Sequence, residues 1–378
     1  MKIGILTLPL NLNYGGILQA FALQDVLRSM GHEVYVFDND FVPIYKRPFY
    51  KQIVVYLLRF VKKIVKHDII IRREKLFEKE YPILRKNIAI FIDKYIHLKK
   101  IKTIDSIELN NFDVLIVGSD QIWRPQYISS MWKSKVEDAF LFFTLGSNIM
   151  RIAYAASFGI DSWPCHSKNG VEHISSILNE FIAVSVREKT SINLCQSTFK
   201  IKPSLVLDPT LLLTKDRYFE FIKDYPSLGD HKLLSYILDM NDDKKKILNQ
   251  VVGDKKLQIM EIDMNYSDLG FPLERRVLPS VENWLASFRD ADFVVTDSFH
   301  ACVFSILFNK PFVVIANKER GLSRFTSLLS QFNLQSHLLF SPSDYNSNSD
   351  YSLSNESMEK LKQLRKASLD FLIKSLKK

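Results

Sequence analysis

The sequence predicts an α/β protein built from two parallel-sheet domains, and three observations carry that prediction. The chain has 378 residues, more than one ordinary core supports. Apolar runs of strand length alternate with helical patterns almost throughout, as in parallel strands joined by helical crossovers. Runs such as ILTL, VLIV and FVVI lack polar alternation, as expected of strands covered on both faces.

Taken in order, Lys2–Leu8 reads as a strand, Ile17–Met30 as a helix and Val34–Asp38 as the next strand. Strands are also expected at Phe112–Val117, Ile152–Ala156, Phe181–Val186 and Leu205–Leu207. Leu233–Leu238, Leu257–Ile262, Phe293–Thr296 and Phe312–Ile315 complete the set. A Ser162-Trp163-Pro164 turn and the polar stretch after it suggest the domain boundary. The expected division is an N-terminal domain over 1–175 and a C-terminal domain over 176–340. Residues 341–357 are a polar, turn-rich linker. In 358–378, Leu361, Leu364, Phe371, Leu372 and Leu376 recur at helical spacing, giving a basic terminal amphipathic helix.

Composition excludes several classes. Cys165, Cys195 and Cys302 are odd in number and far apart, which suits buried thiols in a reducing compartment rather than a disulfide framework. The opening MKIGILTLPL lacks a small-residue cleavage site and reads as a first buried strand rather than a signal peptide. No stretch approaches the ~20 apolar residues of a membrane span, so a soluble cytoplasmic protein is expected. No metal-ligand spacing appears.

Charge is concentrated in residues 46–102, a basic helical insert with 17 Lys/Arg against 5 Asp/Glu. Within it, Ile53–Lys66 forms a basic amphipathic helix. Two readings stand: peripheral contact with an anionic membrane surface, or a solvated helix whose apolar face packs on the protein. Without an aromatic-basic recognition motif, nucleic acid is not expected as a partner.

Ligands of open α/β sheets bind outside the carboxyl ends of the strands, so the polar residues there are the candidates. After the first strand, Asn13-Tyr14-Gly15-Gly16 opens a helix, and its glycines suit either anion approach to the amides or simple helix entry. After Phe112–Val117 comes Gly118-Ser119-Asp120-Gln121-Ile122-Trp123. Ser119 and Gln121 suit a hydroxyl-rich ligand, and Trp123 suits a sugar face. Asp120 suits either a general base or a helix cap. Arg187, after Phe181–Val186, offers a fork to a carboxylate or phosphate, or a salt bridge to Glu188. Asp297-Ser298-Phe299-His300 follows Phe293–Thr296 and sets His300 beside Ser298 at a helix N-terminus, where a bound anion is favoured. The next strand delivers Lys318 and Arg320 to the same edge.

The motifs NYGGILQAFAL, FDVLIVGSDQIW, YAASFG, VSVREKTS, LVLDPTLLL and DSFHACVFSILFNKPFVVIANKERGLSRF occur in that order between about residues 3 and 330. Together they resemble the polysaccharide pyruvyl transferase family. The resemblance implies two Rossmann-like domains of the glycosyltransferase GT-B type, with an interdomain cleft and a C-terminal helix. It implies transfer of a pyruvyl group from phosphoenolpyruvate to a sugar, forming a ketal and releasing phosphate. Its donor-binding arginine, histidine and following cation fall on Arg187, His300 and Arg320. Lys318 stands where it shares the cation's role, and Ser298 and Ala301 replace the arginine and glycine of other branches. His300 is expected to deliver the proton and Asp120 to act as base for the acceptor hydroxyl, with no metal or cofactor. The acceptor, a sugar of a lipid-linked repeat unit, is expected in the N-terminal domain. Two alternatives share the architecture: a nucleotide-sugar glycosyltransferase, and a non-catalytic protein that binds an anion or glycan.

Overall fold

The computed structural model describes every residue except 45–48, 66–69, 165–167, 263, 318–320 and 378. Two parallel sheets organise it. The first contains β1 (Lys2–Leu6), β2 (Glu33–Asp38), β3 (Leu98–Lys100), β4 (Val114–Val117), β5 (Met150–Ala156), β6 (Ala183–Val186) and β7 (Ser204–Leu205), in the order β3-β2-β1-β4-β5-β6-β7. The second contains β8 (Lys232–Tyr236), β9 (Gln258–Glu261), β10 (Ala291–Thr296), β11 (Phe312–Ile315) and β12 (Leu338–Leu339), in the order β12-β11-β10-β8-β9. The expected class, two parallel-sheet domains with helices, is the one found.

Strand order reverses direction between β1 and β4 in the first sheet, and between β8 and β10 in the second. At such switch points the loops leaving neighbouring strands part to opposite faces and open a crevice at the carboxyl edge. The β1 and β4 loops of one sheet and the β8 and β10 loops of the other line a single cleft.

The division expected at residue 175 falls inside the first sheet, because β6 and β7 extend it to Leu205. The chain passes to the second sheet between Leu205 and Lys232. The Ser-Trp-Pro turn instead begins the connection from β5 to the helix Lys168–Asn179 and on to β6. A turn signal marks a reversal of the chain, and here the reversal is internal to one sheet. Two strands lacked any sequence signal. β3 is three residues long with two lysines, and it pairs Leu98 with Val36; β12 has two residues.

The basic segment forms three helices, α2 (Phe49–Val65), α3 (Arg73–Leu84) and α4 (Lys86–Tyr95). The terminal helix Asn355–Leu376 returns to the first domain. Its Ser368 Oγ accepts from the Leu207 amide at 3.0 Å, and Arg365 Nε donates to the Leu211 carbonyl at 2.6 Å. The largest apolar cluster runs through both halves of the molecule. Within it Tyr14, at the start of α1 (Tyr14–Ser29), stacks on Trp284 with ring centroids 5.7 Å apart. Cys195 and Cys302 are buried free thiols, and burial pushes Cys195 up to about 12; Cys165 lies outside the described residues.

Candidate active site

The floor of the cleft begins with the turn after β4. Gly118 sits at φ +124°, and a Cβ there would lie 2.0 Å from the Tyr154 carbonyl oxygen, so only glycine fits. The buried Gln19 of α1 donates from Nε2 to Thr7 Oγ1 (2.9 Å) and accepts at Oε1 from the Ser119 amide (3.3 Å). Thr7 in turn donates to the Ser119 carbonyl at 3.2 Å. This network ties the ends of β1 and β4 together and fixes where Asp120 emerges, at φ 55° and lining the cleft.

Behind Asp120 lies Arg187, at the carboxyl end of β6 with its side chain only 1% exposed. Its Nη2 donates to Asp120 Oδ1 (3.0 Å) and its Nε to Glu188 Oε1 (3.1 Å). Its Nη1 donates to Asp208 Oδ2 (2.6 Å) and Ser119 Oγ (3.3 Å). Asp208 Oδ1 accepts from the amide and hydroxyl of Thr210, the reason an Asp-Pro-Thr turn follows β7. Burial alone raises the Asp120 carboxyl, but Arg187, His300 and Arg324 outweigh it and hold Asp120 below the usual carboxylate range. For Asp208 burial likewise raises the carboxyl, yet His300 and Arg187 hold it well below that range. Both are therefore ionised at neutral pH.

From the second sheet, the helix Phe299–Leu307 starts at Ser298 and carries His300 in its first turn. The His300 Nε2 stands 3.7 Å from Asp208 Oδ2, too far for a formed hydrogen bond. This buried nitrogen has no hydrogen-bond partner among the described residues. The imidazole is held edge-to-face by Phe299 at 5.3 Å and lies against the backbone of Gly15, where a Cβ would come within 2.1 Å of its ring. Gly15 therefore serves as clearance for His300. The glycine of an α1 belonging to the first sheet makes room for the histidine of a helix belonging to the second.

The cleft has a volume of about 650 Å³. Asp120, Gln121, Gly16, Ser298 and His300 line it. Arg324 lines it too, although the sequence reading passed over it. Its guanidinium and that of Arg187 lie 5.2 and 4.7 Å from the centroid of Phe299. Burial and the proximity of Arg187 pull Arg324 down to about 10, which leaves it charged at neutral pH. Lys318 and Arg320 lie outside the described residues.

Three expectations need correction. Trp123 does not present a face to a sugar: it is fully buried, stacks on Phe140 at 4.9 Å and donates to the Ala139 carbonyl. Ser119 is interior and holds the Asp120–Arg187–Asp208 cluster together instead of meeting a ligand. Arg187 shares a neighbourhood with His300 but is turned inward, its fork occupied by three carboxylates. Asp208 was missed because an Asp-Pro-Thr turn reads as local turn chemistry. Only its proximity to Arg187 and His300 in space, 21 and 92 residues away in sequence, gives it a second role.

The sequence model describing the polysaccharide pyruvyl transferase family matches residues 13–319. Among curated proteins none matches the chain. Several solved structures align with most of the chain at low identity. The UDP-GlcNAc 2-epimerase of Methanocaldococcus jannaschii aligns with a TM-score of 0.49 at 10% identity, over 98% of this chain and 93% of its own. The Neisseria meningitidis UDP-GlcNAc 2-epimerase bound to UDP-GlcNAc aligns with a TM-score of 0.44 at 10% identity, over 99% and 100%. The heptosyltransferase WaaC of E. coli aligns with a TM-score of 0.36 at 14% identity, over 86% and 90%.

Proposed function

The chain belongs to the polysaccharide pyruvyl transferase family, and from that premise we propose that it is a cytoplasmic enzyme that moves the pyruvyl group of phosphoenolpyruvate onto a sugar of a lipid-linked polysaccharide repeat unit. One observation carries the reading. Asp120, Arg187, Asp208 and His300 come from four separate stretches of the matched region and converge beneath one cleft.

Phosphoenolpyruvate is a small, highly charged anion and needs fixed cationic donors. Arg324 takes that part, joined by Lys318 and Arg320, which follow β11 in sequence. Arg187 acts as a positioning residue, because its donors are spent on Asp120, Asp208 and Glu188. His300 delivers a proton to the methylene carbon, leaving the adjacent carbon electrophilic, and Asp208 steadies the imidazole. A sugar hydroxyl attacks that carbon while Asp120, kept ionised by Arg187, takes its proton. The carbon–oxygen bond to phosphate breaks, phosphate leaves, and a second hydroxyl closes the ketal as its proton passes to the departing phosphate or solvent.

The test is inorganic phosphate release from phosphoenolpyruvate in the presence of a repeat-unit acceptor, for the wild type and His300→Ala. Turnover should vanish in the variant while its unfolding midpoint stays unchanged; near-normal turnover removes His300 from the mechanism. A wild type that ignores phosphoenolpyruvate but releases nucleotide from a nucleotide sugar is a glycosyltransferase.

A further inference from the structure

Helix α2 is amphipathic in an unusual sense: the side it turns to the protein is its polar one. The part-buried residues of the helix are Gln52, Val55, Tyr56 and Arg59. Arg59 anchors it, with Nη1 and Nη2 donating to Glu74 at 2.8 and 3.0 Å and Nη1 to the Ile71 carbonyl at 3.1 Å. The apolar side faces outward. Tyr50, Ile53, Val54, Leu57, Leu58, Phe60, Val61, Ile64 and Val65 are between 44% and 83% exposed. At 3.6 residues per turn they sweep about 160° of the helix surface. Single exposed apolar residues are ordinary; nine on one contiguous face mark a surface that meets something nonpolar. Exposed Lys51, Lys62 and Lys63 flank that face.

We propose that α2 lies in the headgroup region of an anionic lipid bilayer, apolar face down, and so sets the cleft against the membrane that carries the acceptor. The proposal rests on the transferase reading for the identity of the acceptor, not for the surface itself. Charge selects the occupant. The flanking lysines sit where long stems reach back to lipid phosphates while the apolar face enters the acyl boundary. A second copy docked through the same face would bring these lysines against their own equivalents in an insert with 17 basic and 5 acidic residues. Position gives the surface its use. Phe41, Pro43 and Ile44, just before α2, line the cleft. After α2 in the chain, Arg73 of α3 donates to the carbonyl of Ser267, which also lines the cleft. No helix among the described residues is long and apolar enough to cross a membrane, so attachment of this kind lies in the interface plane.

The experiment is co-sedimentation of the full chain with vesicles of phosphatidylcholine alone and of phosphatidylcholine containing phosphatidylglycerol. The wild type should sediment with the anionic vesicles and stay in solution with the neutral ones. Leu57→Asp with Val61→Asp should abolish the binding, and Lys62→Glu with Lys63→Glu should weaken it roughly tenfold or more. Equal partitioning to both vesicles, or sedimentation of the Asp variant with anionic vesicles, overturns the proposal. So does a wild-type dimer, seen by light scattering, that ignores vesicles and becomes monomeric in the Asp variant. Phosphate release with a soluble acceptor is measured in parallel: vesicle binding without turnover leaves the surface standing and sinks the transferase reading, and the reverse result does the opposite.

Discussion

The contact between Gly15 and His300 makes the sharpest demand on the sequence. In Gly15→Ala the new Cβ would lie 2.1 Å from Cγ and Nδ1 of the imidazole. Ordinary carbon contacts stand at roughly 3.5–4.0 Å, so ring and helix must separate by about 1.5 Å. The ring has little room to retreat, with Phe299 at its edge and Asp208 3.7 Å from Nε2. A misplacement of about 1 Å costs on the order of 100-fold in rate, or about 2.7 kcal/mol of transition-state stabilisation. The effect on folding should be smaller. Overpacking costs about 1–3 kcal/mol, and the gain in helix propensity from alanine offsets up to about 1 kcal/mol. Gly16→Ala is the matched control, since the nearest atoms to its Cβ belong to the Asn13 side chain, the closest its amide at 3.1 Å. Turnover measured as phosphate release, beside urea denaturation of both variants, separates catalysis from stability. A Gly15→Ala enzyme with wild-type turnover would refute the reasoning: either the ring yields freely or His300 takes no part in the chemistry.

Two further predictions concern buried charge. Arg187→Met leaves Asp120, Glu188 and Asp208 without their shared cation and should cost about 3–5 kcal/mol, read as a lowered urea midpoint. Asp120 and Asp208 have depressed values in the folded wild type. They therefore contribute stability that is full above the unfolded carboxylate value of about 3.9 and is lost as pH falls toward the depressed folded values. Without Arg187 one of the groups that lower both carboxyls is gone and their values move up, so acid unfolding of the variant should begin at higher pH; an unchanged acid limb refutes the assignment. His337 is packed against Phe312 with ring centroids 4.6 Å apart, and burial lowers it from 6.5 to about 4. The unfolded chain then binds the extra proton between these values, and stability should fall by about 3 kcal/mol as pH drops from 6.5 to 4. His337→Phe should flatten that slope in a pH series of urea melts, and an equally steep slope in the variant refutes the role.

The fold was legible in the sequence because parallel strands covered on both faces leave a simple signature. VLIV and FVVI are strands in the structure as in the reading. β3 was not legible, because its Leu-Lys-Lys has no strand pattern and exists only where the edge of β2 offers backbone partners. At the site, strand-end logic found Asp120, Arg187 and His300. It did not distinguish a residue that faces a ligand from one that holds such a residue in place. That difference depends on which way the side chain turns from the strand end. Arg187 turns into three carboxylates, two of them, Asp120 and Asp208, distant in sequence, and Trp123 turns into an aromatic cluster. Arg324 escaped notice for the opposite reason: it lies on the helix Leu322–Gln331 rather than at a strand end, and reaches the cleft from there.

The ionic cluster also explains why the two sheets must meet where they do. A buried ion cluster is a weak source of stability, since apolar residues of the same volume often do as well; what it supplies is fixed direction. Asp120, Arg187 and Asp208 all belong to the first sheet's loops and brace one another through direct bonds. From the other side the Phe299 ring faces the Arg187 guanidinium, the charge of Arg324 acts on Asp120, and the His300 imidazole stands near Asp208 without a formed bond. The second sheet thus presents its histidine to a preassembled anionic frame, and Gly15 sets how closely it approaches. A frame braced by bonds on one side, facing an imidazole held by packing on the other, fits the proposed chemistry, in which the imidazole holds a proton before transfer and loses it during transfer. In that proposal Asp120, the carboxylate assigned to the acceptor's proton, has to stay ionised and in place, and Arg187 holds it so.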